Sequence, residues 1–172
     1  MATSTLQDLL IETLRDTYNA EKQLVKALPR MAKAATSIEL RTAFTNHLDV
    51  TVEQVNRLEQ VFQLLGVPVR GKRCAAMEGL IEEGKELMAE DIEPQVLDAG
   101  LIASAQKVEH YEIAAYGTLR TWADMLGHTE AAEMFQTTLD EESEADETLT
   151  LLAETGVNAE ANSAGADMED GR

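Results

Sequence analysis

Glu21, His47, Glu109, Glu112, Glu142 and Asp146 are the residues whose types and spacing could do chemistry. Carboxylates and an imidazole are ligands for hard and borderline divalent metals. Most of them interrupt an otherwise apolar helical seam. Glu21 interrupts Leu10, Leu14, Thr17, Leu24 and Leu28. His47, followed by Thr51 and Gln54, interrupts Leu40, Phe44, Leu58, Val61 and Leu65. Glu112 interrupts Leu101, Ala105, Val108, Ala115, Leu119, Trp122 and Leu126. Glu142 interrupts Ala131, Phe135, Ala145, Leu149 and Leu152. Steps of three and four residues keep each set on one helical face, so the polar members point at the same interior as their neighbours. A lone buried carboxylate is costly, and such groups are paired, protonated or metal-bound. Helices that send carboxylates and a histidine into one interior have the layout of a carboxylate-bridged metal site.

Two further acids flank the seams. Glu109 precedes Glu112 by one turn, on the row of Ile102 and Tyr116, so both can reach one site. Asp146 follows Glu142 by one turn, on the row of Ala132, Leu139, Leu149 and Ala153. His110 is turned by about 100° from Glu109 and is expected to face outward. Glu141, Glu144 and Glu147 are expected to be solvated. Blander readings stand beside these. Glu21 could pair with Lys22 or Arg15, and His47 could be a structural histidine. Thr51 and Gln54 beside it could form a hydrogen-bond network. Met77 and Met88 read as core filler rather than ligands.

The elements that must position these groups are helices. The first is expected from Thr5 to Ala35, capped by Ser4 or Thr3 and kinked or loosened near Pro29. The second runs from Ile38 to Leu65, capped from Thr36-Ser37 and stopped at Gly66. A shorter helix is expected over Ala75–Glu90, with Met77, Leu80, Ile81, Leu87 and Met88 as its apolar side. The last two run from Gln95 to Leu126 and from Thr129 to Glu154, stopped at Gly127 and Gly156. Short loops make each pair antiparallel, and one long connection, Gly66 to Pro94, joins the pairs. Residues 1–156 are expected to form this bundle and 157–172 an acidic, disordered tail. Glu21, Thr51, Glu112 and Glu142 all fall near mid-helix, which places them in one layer.

Composition narrows the function classes. The chain has 172 residues and a formal net charge of -18, which argues against nucleic acid and against anionic membranes. It contains no run of about 18 apolar residues, so no transmembrane helix is expected, and its N-terminus does not read as a signal peptide. Cys74 is the single cysteine; it reads as a passive residue near a loop, and the cytoplasm is the expected location. The basic stretch VPVRGKR, residues 67–73, reads as a solvated connection balancing nearby acids.

Oxygen ligands with one histidine suit iron, manganese or zinc better than a soft metal. Two bridged ions would let several acids stay ionised in a core, and open coordination positions would admit dioxygen or peroxide. A ferroxidase or peroxidase activity is therefore one expectation. A non-enzymatic assembly module with a vestigial site is another, and iron storage in a cage a third.

The runs LQDLLIETLRDTYNAEKQLVKALPRMAKAA, HLDVTVEQVNRLEQVF, AQKVEHYEIAAYGTLRTWADMLG and TLDEESEADETLTLLAE resemble the YciE/YciF family of bacterial stress proteins, over residues 5 to 155. The resemblance implies an all-α, ferritin-like four-helix bundle with a long crossover carrying a short extra helix. It also implies a homodimer and a di-iron centre, with manganese or zinc as alternatives. By motif it carries a metal-binding role onto Glu21 of AEKQ, His47 of the HLxxT segment, Glu109 and Glu112 of VEHYE, and Glu142 and Asp146 of LDEESEAD. One departure stands out. Ferritin-like proteins usually supply Glu-x-x-His from their second and fourth helices; here the second offers Thr51-x-x-Gln54, and the fourth has no histidine.

Overall fold

Thr5 starts the first helix with a reciprocal cap. Its hydroxyl accepts from the backbone N–H of Asp8 at 3.1 Å, and the Asp8 carboxylate accepts from the Thr5 N–H at 3.0 Å. The cap thus lies one or two residues beyond the Ser4 or Thr3 expected, because Asp8 completes the box only with Thr5. The computed structural model describes residues 3–169, with side chains through Ala164. Its elements are α1 (Leu6–Ala34), α2 (Ile38–Leu64), α3 (Ala75–Ala89), α4 (Pro94–Met125), α5 (Thr129–Leu152), a π-helical turn (Ala153–Val157) and α6 (Asn158–Glu169). The described residues are all helix and connection, with no strand.

α1 runs unbroken through Pro29, which is exposed, so the carbonyl left without its donor lies toward water. α2 and α4 both end in a glycine with positive φ, Gly66 at 66° and Gly127 at 78°. At each end two backbone bonds close the last turn: Gly66 N–H to Gln63 and Val67 N–H to Phe62, then Gly127 N–H to Asp124 and His128 N–H to Ala123.

Side-chain contacts set the helix directions. Tyr18 donates to Glu59 at 2.7 Å, making α1 and α2 antiparallel about their short turn. Asp98, near the start of α4, meets Thr36 and Ser37 in the turn that follows α1, whereas His128, just past α4, meets Gln7 near the start of α1. α1 and α4 are therefore antiparallel. Gln106 meets Asp146 and Thr150, and Arg57 meets Thr138, so α5 is antiparallel to both α4 and α2. It follows that α2 and α4 are parallel, and the chain between them must travel back along the helices. Residues 65–93, with α3, make that return. The basic loop bridges α1 and α3: Lys72 pairs with Glu12 of α1 at 3.3 Å and Arg73 with Glu78 of α3 at 2.6 Å.

Two apolar clusters fill the interior. One gathers Leu24, Leu28, Leu40, Phe44, Met77 and Leu101; the other gathers Leu10, Leu14, Leu58, Phe62, Leu119 and Phe135. Each such side chain contributes about 1.5–3 kcal/mol on burial. Between the clusters lies a polar layer.

Asp98 is a buried acid outside that layer, 3% exposed. Its carboxylate accepts from Thr36 N–H at 2.8 Å, Thr36 Oγ1 at 2.5 Å and Ser37 N–H at 2.7 Å, joining the α1–α2 turn to α4. Asp98→Asn replaces one acceptor oxygen by a donor facing donors, so a loss of about 2 kcal/mol in urea unfolding is expected; an unchanged midpoint would contradict this role.

The sequence places a stop at Gly156, yet the backbone continues as the π-helical turn and α6, which packs on α4. Val157 is buried and anchors the join, and the Ala- and Glu-containing segment that follows has fair helix propensity. Residues 170–172 of the expected tail lie outside the described residues. Among the described residues, no helix is long and apolar enough to cross a membrane.

Candidate metal centre

The polar layer is built from four helices. α1 contributes Glu21, α2 His47, Thr51 and Gln54, α4 Glu109, Glu112 and Tyr116, and α5 Glu142. The exposures of Glu21, Glu109, Glu112 and Glu142 are 0%, 3%, 1% and 0%. Glu21, Glu112 and Glu142 sit where the apolar period of their helices would place a leucine, so packing of the flanking turns drives them inward, and Glu109 enters one turn before Glu112.

His47, Glu109, Glu112 and Glu142 form the centre. One ligand atom from each lies within 4.8 Å of all the others. His47 Nε2 stands 3.4 Å from Glu109 and 3.7 Å from Glu142, without forming a hydrogen bond to either. Glu21 adjoins Glu112 from the α1 side, close enough that each shifts the other's ionisation. The surrounding groups orient these side chains. Tyr116 donates its hydroxyl to Glu21, and Gln54 donates its amide to Glu142 and, at 3.1 Å, to Glu141. Arg57 holds Glu141 by 2.7 and 2.9 Å bonds and also donates to Thr138 at 2.6 Å.

The other sequence expectations are placed as follows. Asp146 is not brought into the centre: its carboxylate accepts from Gln106 at 3.2 Å and lies 3.3 Å from His110. One turn beyond Glu142, it has moved far enough around α5 to reach the outer face of α4. His110 is largely exposed there. Glu21 pairs with neither Lys22 nor Arg15; Lys22 lies over the Tyr18 ring and Arg15 pairs with Glu12. Thr51 donates to the carbonyl of His47 at 2.8 Å. Cys74 is buried at the start of α3, 3.0 Å from the Tyr111 hydroxyl. Arg57 is not legible in the sequence pattern, and Glu141, expected in solvent, is instead half-buried against it. Both sit beside the seam, and opposite charges on different helices leave no local pattern. Tyr116 could have been found, since it follows Glu112 by one turn and shares the Glu109 row.

Electrostatics describe an acid cluster under strain. Burial, then the neighbouring Glu142, raises Glu109 well above the usual carboxylate range. Burial and the charges of Glu21, Glu142 and Glu109 do the same to Glu112. Burial and the Glu142 charge push Glu21 up to about 8, against the opposing Tyr116 hydrogen bond. A buried oxygen without a partner is costly. Here Glu21 Oε2, His47 Nε2, Glu109 Oε2, both Glu112 oxygens and Glu142 Oε2 all lack one. A cation among them would accept these lone pairs and offset their charges, so the residues present fit a divalent ion.

The raised carboxyls predict an inverted pH dependence in chelator-treated protein. Above the ordinary value of 4.5 and up to about 8 for Glu21, the folded chain holds a proton that the unfolded chain has released. This contribution to stability is complete below pH 4.5 and is lost as pH rises through about 8. The slope is about 1.4 kcal/mol per pH unit for each such group. The urea midpoint should fall between pH 5 and pH 8; a rising midpoint would contradict the burial of these acids.

Residues 5–162 match a family model described as a domain of unknown function, DUF892. The chain is 46% identical over 162 residues to Protein YciF of Escherichia coli, covering 94% of this chain and 98% of that protein. The crystal structure of the E. coli stress protein YciF matches with a TM-score of 0.87 at 47% identity, over 90% of this chain and 98% of that one. YcfI from Rhodopseudomonas palustris matches with a TM-score of 0.84, also at 47% identity, over 86% and 94%. A protein from Xanthomonas campestris, at 22% identity and a TM-score of 0.75 over 94% and 99%, shares the fold alone.

Proposed function

The chain belongs to the YciE/YciF family, and from that premise we propose that it is a ferritin-like stress-response protein that binds iron or manganese at its interior cluster. The observation that carries this reading is the convergence of unpartnered buried ligand atoms from four helices. The helix directions and the long return segment support reading the fold as a ferritin-like four-helix bundle. Glu109, Glu112, Glu142 and His47 would hold one ion, and Glu21 with Glu112 a second. Two divalent ions would balance the four carboxylates Glu21, Glu109, Glu112 and Glu142. Asp146 would serve only at a distance, through its charge on Glu109.

A bound redox-active ion supplies one-electron chemistry toward dioxygen or peroxide, which is the basis for a ferroxidase or peroxidase activity. The chain's own residues prepare the site for it. Tyr116 fixes the Glu21 carboxyl, and Gln54 fixes Glu142 while Arg57 keeps Glu141 aside. The apolar clusters above and below limit access of water. The same reading makes the protein a cytoplasmic homodimer, with residues 1–156 as the metal-binding unit.

A second reading has a specific observation behind it. Gln54 is a donor where a ligand would be expected, and Thr51 bonds its own helix. α2 therefore offers only His47, which favours one tight ion over two, or a vestigial site. Anaerobic ferrous loading followed by elemental analysis separates these outcomes. About two irons per chain supports the di-iron form, about one supports the reduced form, and none contradicts the metal reading.

A further inference from the structure

We propose that the cleft between α2 and α5 is the route by which a hydrated divalent cation reaches the buried carboxylates. The inference rests on the metal-binding reading and adds where the ion passes. Three of the four cluster residues are at most 3% exposed. His47, on α2, is the most open, with its side chain 11% exposed, so the centre approaches solvent on that side. There a cleft of about 280 Å³ runs inward. Its rim carries the exposed Asn46, Glu144 and Thr148. Small residues, Ala43 and Ala145, leave its walls open. Its floor includes His47 and Glu109, and both present an unpartnered buried atom: Nε2 and Oε2.

The dimensions suit a hydrated ion. A single water needs about 10–15 Å³ of such space, so a solvent-open cleft of about 280 Å³ takes several. A divalent transition ion carries about six. It can therefore enter with its shell and exchange waters at Glu109 and His47, rather than being stripped at the surface. The polar groups point the same way, with the Glu144 acid at the exposed rim and the unpartnered Oε2 of Glu109 at the floor. The net charge of -18 raises the local cation concentration throughout. Glu141 also lines the cleft, but Arg57 holds both of its oxygens.

Stopped-flow absorbance with cobalt(II) chloride tests the route. Thr148→Trp covers the rim from an exposed position, and Ala145→Phe fills the wall. A blocked path slows entry and exit alike. Association and dissociation should both fall about tenfold, while stoichiometry and Kd stay within about threefold. Glu144→Gln should slow association about threefold at low salt, and the difference should vanish at high salt. Should Ala145→Phe fail to fold, Thr148→Trp carries the test alone. Cobalt binding at unchanged rates in Thr148→Trp overturns the route and leaves the metal reading standing. Failure of the unmodified protein to bind cobalt overturns both.

Discussion

Glu112→Gln is expected to stabilise the metal-free protein at pH 8 by about 1–3 kcal/mol and to weaken divalent-metal binding by about 100-fold or more. The two effects share one cause. Glu112 is 1% exposed and neither oxygen has a hydrogen-bond partner. Burial and three neighbouring carboxylates hold its proton on well above the ordinary range. Above the ordinary carboxylate range, folding must then bind a proton that the unfolded chain has released. Glutamine has nearly the same shape and carries no such requirement, and its amide can donate to Glu21 or Glu109, which both have an oxygen to spare. The same change deletes an anionic ligand from the middle of the cluster. Urea unfolding with and without manganese reads both effects. A loss of stability in the metal-free variant, with metal binding intact, would make Glu112 a structural acid.

Metal should stabilise the wild-type fold strongly and release protons as it does so. At a free metal concentration of about 1,000 times Kd, linkage gives about 4 kcal/mol. For a domain of this size that is a rise of about 8–16 °C in Tm. Glu21, Glu109 and Glu112 are the groups held protonated by burial and mutual repulsion. An ion replaces those protons, so titration calorimetry at pH 7, below the value of about 8 for Glu21, should show at least one proton released in buffers of different ionisation enthalpy. Release of none would mean that the ion binds among surface acids instead. Such acids are abundant in a chain with 32 Asp and Glu residues, but they are already ionised at neutral pH.

Much of this site could be read from the sequence, and the reasons differ residue by residue. Glu21, Glu112 and Glu142 occupy strict seam positions, where helical period alone decides which way a side chain points. All three are buried in one layer. Glu109 followed from its one-turn offset. Asp146 shows the limit of that argument. The same offset applied on α5 predicts an inward acid, but Gln106 and His110 on α4 capture the carboxylate at the outer face. An offset of one turn leaves a side chain beside the seam, and the neighbouring helix then decides its direction. The Arg57–Glu141 pair depends on which helices adjoin and at what height, which no local spacing encodes. The helix pairs and the long return were legible from loop lengths. α6 was not, because its segment is polar and small and lacks an apolar stripe to announce docking. Val157 alone marks the join.

The proposed metal site is the buried cluster of His47, Glu109, Glu112 and Glu142. Anomalous diffraction from crystals grown with manganese or anaerobic ferrous iron, collected on both sides of the metal's absorption edge, tests it most directly. An edge-dependent peak is expected among those four side chains, with Glu21 and Glu112 flanking any second peak. Anomalous density confined to surface acids, with the four buried ligands closed on one another, would contradict it.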